Sequence, residues 1–171
     1  MRLLFSATFC LLLSLSVFGQ YNFKQSGVGA VDFTATDMSG RSHHLLADNK
    51  GKIVLLTFWS SRCPACKSVI PKLNNMSKKY AGQNVVFLGL TAENETSASA
   101  FLRKNPFDFS VIPNSFGILL QLAEKDSNGN LNFGYPAYFL INQQGEVEMR
   151  ASGSGKTGKI DERIGALLNS R

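Results

Sequence analysis

Residues 53–59, Ile-Val-Leu-Leu-Thr-Phe-Trp, form an almost unbroken apolar run. A strand with one wet face alternates apolar and polar positions. A continuous run of this length therefore predicts a central parallel strand covered on both faces. Val85–Leu90 and Tyr138–Ile141 have the same character and predict two further buried strands. Between the first two, Val69, Leu73, Met76 and Tyr80 recur at helical spacing and draw one apolar stripe. That stripe predicts a helix from about Pro64 to Tyr80. Lys78 and Lys79 suit its negative end, and Gly82 lies just beyond it. Pro71 falls inside and is expected to kink it, because proline lacks a backbone donor and crowds the preceding turn.

The remaining pattern is shorter-ranged. Phe33–Asp37 and Ser42–Leu46 flank Ser39-Gly40 and predict a β-hairpin. Asn94 or Thr96 can cap a short helix carrying Ala98, Phe101 and Leu102, which Pro106 stops. Phe116–Leu122 predicts another short helix, and Asp126–Asn130 a polar turn. After the turn at Gln143-Gln144-Gly145, Val147, Met149 and Ala151 alternate with Glu146, Glu148 and Arg150. That is the mark of a strand with one wet face. A last helix is expected from about Lys159 to Leu168, with Ile160 and Ile164 inward. Strands joined by helical crossovers, then an antiparallel pair, define an α/β fold. Its sheet is mixed, with helices on both faces and an N-terminal β-hairpin extension.

Composition adds a division of the chain. Of 171 residues, 44% are hydrophobic and 18% charged, which suits one globular domain. Met1–Gly19 differs from the rest. Arg2 precedes an apolar run from Leu3 to Val17, and small residues follow, which reads as a secretory signal peptide cleaved after Gly19. Residues 20–171 then form the domain. An uncleaved segment would instead serve as a membrane anchor. Cys10 leaves with the segment, so the three cysteines of the chain become two, Cys63 and Cys66. Export, periplasmic or extracellular, also places that pair in a disulfide-permissive compartment. The formal charge of +6 falls by one with Arg2. No block of basic residues suggests nucleic acid as a partner.

The candidate chemistry lies in Phe58-Trp59-Ser60-Ser61-Arg62-Cys63-Pro64-Ala65-Cys66-Lys67. A buried strand ends, three residues turn, and Cys63 stands where a helix begins. Free backbone N–H groups and the positive end of the helix dipole favour a thiolate there. Arg62 adds a full charge, and Pro64 suits the first helical position. Such thiols have pKa values of about 3.5–7.5 instead of about 8.5. Cys63 is therefore the expected nucleophile, and Cys66, one turn deeper, the resolving thiol. A static staple is a poor reading, since so short a ring removes little unfolded-chain entropy. Zinc needs four ligands, and this is half a site. His43 and His44 occupy a hairpin strand whose neighbours point to opposite faces, and both are expected at the surface. No metal or other cofactor is expected.

With these residues the chain resembles the thioredoxin superfamily, in its exported TlpA/ResA-like thiol–disulfide oxidoreductase branch. The matching positions are Gly51-Lys52, Val54, Leu56, Phe58-Trp59, Cys63, Cys66 and Pro71, with the hairpin of residues 32–46. Gly134-Tyr135-Pro136 matches the G-x-P before the third core strand. The likeness spans roughly residues 30–169. It implies a thioredoxin-like fold, with Pro136 cis and facing the cysteine pair. It also implies that Trp59, Arg62, Tyr135 and Pro136 form the substrate surface, with the Tyr135 backbone pairing with an extended substrate. The implied partners are protein thiols and disulfides, apocytochromes among them, and a membrane or exported redox partner. The implied roles are cytochrome maturation or disulfide reduction.

The chain also departs from that pattern. Arg62 stands where the family often has Trp, and Ala137 where Thr is common. Thr57 occupies the position of a buried Asp, and Val69 that of a Glu found in some exported relatives. No acid is thus expected beside Cys66, and the direction of the reaction is open. Two alternatives share the fold. A peroxiredoxin-like thiol peroxidase would need Pro at Leu56, although Ser60 meets its hydroxyl requirement. A metal-delivery module would need a wider cysteine spacing and a downstream His, and no His follows Cys66.

Overall fold

The computed structural model describes residues 31–170, so the expected signal peptide lies outside the described residues. The chain enters through an antiparallel hairpin, β1 (Thr34–Thr36) and β2 (Ser42–His44), with Ala35 opposite His43. Gly40 turns it at a φ of +85°, a conformation that glycine adopts without steric cost. A single helical turn not anticipated from the pattern, α1 (Leu45–Asp48), follows directly.

The central strand is β3 (Ile53–Phe58), and all six of its residues are buried. It pairs in parallel with β4 (Val85–Leu90), which pairs in parallel with β5 (Val111–Ile112). On its other side it pairs antiparallel with β8 (Ala137–Ile141), and β8 pairs antiparallel with β9 (Val147–Ser152). The five-stranded order is therefore β5-β4-β3-β8-β9. Two residues of β5 were too few to leave a pattern. The polar turn at Asp126–Asn130 closes a small separate hairpin, β6 (Glu124–Lys125) and β7 (Leu131–Asn132).

Alternate residues of β3 feed two cores. Ile53 and Leu55 meet Val69 and Leu73 of α2 (Pro64–Lys79), and Ile160 and Ile164 of α5 (Thr157–Asn169). Val54, Leu56 and Phe58 meet Leu45 of α1 and Leu119 and Leu122 of α4 (Phe116–Leu122) on the opposite face. Helices thus cover both faces, as the continuous apolar strands required. α2 runs on through Pro71 to Lys79, and Gly82 follows at a φ of +77°. Asn94 caps α3 (Glu95–Leu102), its Oδ1 accepting from the Ser97 amide at 2.9 Å.

Two expectations are corrected. His43 is not a surface residue. It is 7% exposed, and its Nε2–H donates to Asp37 Oδ2 at 2.7 Å. His44 does face out, as strand alternation requires, and pairs with Thr34 Oγ1. β9 also lacks a fully wet face, since Glu148 and Arg150 are half-buried. Arg150 donates to the carbonyl of Leu122, and Glu148 is paired with Arg163 of α5, so long polar side chains fold back over the strand.

Candidate redox site

Trp59 extends β3 by one hydrogen bond, its amide donating to the carbonyl of Leu90 at 3.0 Å. The chain then turns through Ser60-Ser61-Arg62, and Cys63 caps α2 from an extended conformation. Pro64 occupies the first helical position, where no donor is lost. The Cys66 amide donates to Cys63 Sγ at 3.1 Å, and the amides of Cys66 and Lys67 also point at the Cys63 carbonyl. Cys63 thus sits at the positive end of a sixteen-residue helix, in the setting that favours negative sulfur. Cys63 and Cys66 form a disulfide, with Cα atoms 5.2 Å apart. Cys63 is half-buried, whereas Cys66 is 1% exposed. One sulfur can therefore be reached from solvent and its partner is shielded.

The other expected site residues divide. Arg62 is exposed on the turn, and Tyr135 is half-buried. The Tyr135–Pro136 peptide is cis. Tyr135 and Cys63 both pack against the cluster that holds Trp59 and Cys66. Burial raises the Tyr135 phenol above its ordinary value, and the charge of Glu93 adds to the rise.

Trp59 does not belong to an exposed substrate surface. It is 1% exposed and lies stacked on Phe101, with ring centroids 4.9 Å apart, and against Phe107. It packs in the same cluster as Cys66. Gly89 of β4 makes room for it, because a Cβ there would meet Trp59 Nε1 at 3.4 Å and Val111 Cγ2 at 3.3 Å.

Thr57 and Val69 are both buried and carry no charge to the pair. A different acid, which the sequence reading missed, binds the turn before Cys63. Glu93 Oε1 accepts from Ser60 Oγ (3.0 Å), the Ser61 amide (2.7 Å) and Ser61 Oγ (2.9 Å). A signal for it existed. Adjacent parallel strands end at one edge of the sheet, so residues just past β4 come beside those just past β3. Met38, at the tip of the first hairpin, was also missed. It packs against the same cluster, and its amide donates to the Val111 carbonyl. Among the described residues no three His, Cys, Asp or Glu side chains gather as a metal site.

A mixed sheet with a cysteine pair at the start of the helix after its central strand, and a cis-proline just before β8, defines a thioredoxin-fold redox protein. The comparisons agree. The model of the AhpC/TSA family matches residues 27–150. The chain is 28% identical over 170 residues to the thiol-disulfide oxidoreductase ResA of Bacillus cereus, covering 94% of each chain. It is 30% identical over 125 residues to the thioredoxin-like protein YneN of Bacillus subtilis, covering 72% of this chain and 69% of the other. A thiol:disulfide interchange protein of the thioredoxin family from Chlorobium tepidum superposes with a TM-score of 0.69. It is 21% identical and covers 82% of this chain and 95% of its own, a likeness of fold alone. The chain belongs to the AhpC/TSA family, in the ResA-like branch of the thioredoxin superfamily, and is a thiol–disulfide oxidoreductase.

Proposed function

We propose that Cys63 is the attacking sulfur and Cys66 the resolving one, acting on protein disulfides outside the cytoplasm. The observation that carries this reading is the asymmetry of exposure within the pair, with Cys63 reachable at the helix N-terminus and Cys66 beneath it. In the reducing direction the Cys63 thiolate attacks one sulfur of a partner disulfide, and the other sulfur leaves as a thiolate and takes up a proton. Cys66 then loses its proton and attacks Cys63 of the mixed disulfide. That releases the partner's second thiol and closes Cys63–Cys66. Two electrons pass to the partner, and a membrane or exported dithiol must restore the pair.

Tyr135 and Pro136 bound the approach to Cys63. The Tyr135 backbone would pair with an extended substrate as an added strand, and Arg62 would meet its flanking residues. Location outside the cytoplasm rests on the apolar segment from Leu3 to Val17, read as a signal peptide that leaves residues 20–171. Among the described residues no helix is long and apolar enough to cross a membrane. Cytochrome maturation and general disulfide reduction are the two roles that such a site would serve.

The test is a pair of single substitutions assayed on a protein disulfide. Cys66→Ser should accumulate a mixed disulfide through Cys63, and Cys63→Ser should lose turnover. The pair should equilibrate with glutathione at a potential between about −120 and −270 mV. Turnover that survives Cys63→Ser would refute the assignment.

A further inference from the structure

We propose that Glu93 positions the redox turn and biases the Cys63–Cys66 pair toward donating electrons. This deepens the exchange reading above and rests on it. One oxygen of the carboxylate takes hydrogen bonds from both serines of the turn, three in all. Ser60 passes the constraint on. Its hydroxyl also accepts from the Arg62 amide at 3.3 Å, and its carbonyl accepts from the Cys63 amide at 3.1 Å. A single acid thereby orders Ser60, Ser61 and Arg62, the turn that leads to the attacking sulfur.

The acid is itself held. Its amide donates to Thr91 Oγ1 at 3.2 Å, and its carbonyl accepts from the Asn114 amide at 2.9 Å. The second carboxylate oxygen, Oε2, is buried and has no hydrogen-bond partner among the described residues. A neutral side chain would satisfy the turn without stranding a charged oxygen. The charge therefore needs a reason, and its neighbours supply one.

Ser61 is two residues from Cys63, which limits their Cα separation to about 7 Å. The carboxylate is hydrogen-bonded to Ser61, so its negative charge is held in the same turn as Cys63 and disfavours the Cys63 thiolate. The thiolate exists only in the reduced pair, so the same charge disfavours the reduced state and favours the disulfide. A pair that favours its disulfide gives its electrons away more readily. Partner disulfide and protein dithiol become partner dithiol and protein disulfide. Arg62 opposes this, but its side chain is exposed and screened, whereas the carboxylate is bound to the turn.

The test compares the purified wild-type chain with Glu93→Gln and Glu93→Ala. Gln keeps an acceptor oxygen for the serines and removes the charge. Glu93→Gln should lower the midpoint of the pH profile for Cys63 alkylation by about half to one pH unit. Its equilibrium with glutathione should shift toward the dithiol by roughly three- to tenfold. Glu93→Ala should add a loss of turnover that Gln restores, because the turn loses its anchor. An alkylation profile and glutathione equilibrium in Glu93→Gln within twofold of wild type, or shifted the opposite way, would overturn the proposal. This holds even if Glu93→Ala fails to fold. A wild-type pair that does not exchange with glutathione at all would instead overturn the exchange reading beneath it.

Discussion

Replacing Asp37 by Ala would strand a buried histidine. Asp37 is 4% exposed. Its Oδ1 accepts from the Ser39 amide, the Ser39 hydroxyl and the Arg41 amide at 2.8, 2.6 and 3.1 Å. Its Oδ2 accepts from His43 Nε2 at 2.7 Å. Ser39 and Arg41 are exposed and recover water when the carboxylate goes, but His43 does not. Removing one member of a buried, hydrogen-bonded pair costs about 3–5 kcal/mol. The partial exposure of the other donors places this site at the lower end, about 3 kcal/mol. That is a large share of a typical domain stability of about 5–15 kcal/mol. In urea titrations followed by circular dichroism near pH 7 it should lower the midpoint by roughly 1.5–2 M.

The pH dependence provides the sharper check. Burial would raise the Asp37 carboxyl, but hydrogen bonds from His43, Ser39 and Ser110 outweigh it and hold the group well below the usual carboxylate range. A depressed folded-state value means the stabilisation is complete above the unfolded value of about 3.9. It is lost as pH falls from there through the folded value. The part of the gap between wild type and Asp37→Ala that comes from the carboxylate should therefore shrink below about pH 4. A gap under about 1 kcal/mol at neutral pH, or one that widens in acid, would refute the argument.

Two further substitutions test the frame around the site. Gly145 has a φ of +83°, and a Cβ there would meet Leu46 Cδ2 at 2.7 Å. Gly145→Ala should therefore lower stability in the same titration by about 1–2 kcal/mol or more; a neutral result would mean that the turn readily changes conformation. Asn94→Ala removes the cap of α3 and should cost about 1 kcal/mol in thermal unfolding, while the Cys63 alkylation rate stays unchanged.

Much of the frame was legible because its causes are local. The strands β3, β4 and β8 lie within a residue of their expected bounds, since each is a run too apolar to face water. The span of α2 followed from its stripe and its terminal residues, and α4 appeared where expected. The pieces not foreseen are short or depend on distant partners. α1 and β5 are too brief to carry a period, and β6 and β7 exist only as a pair.

The cysteine pair and its place at a helix start were present in the order of residues. They need only a strand, a turn and a helix in succession. The surroundings of the pair were not. Trp59 is buried because Phe101 and Phe107, more than forty residues on, close over it. His43 is buried because the hairpin turns its ring onto Asp37. Glu93 reaches Ser60 and Ser61 because β3 and β4 lie side by side and end together. A chain carries its local periods in its own order. Only the folded sheet decides which distant charge is bound to the redox turn, where we propose that it tunes how readily the pair gives up its electrons.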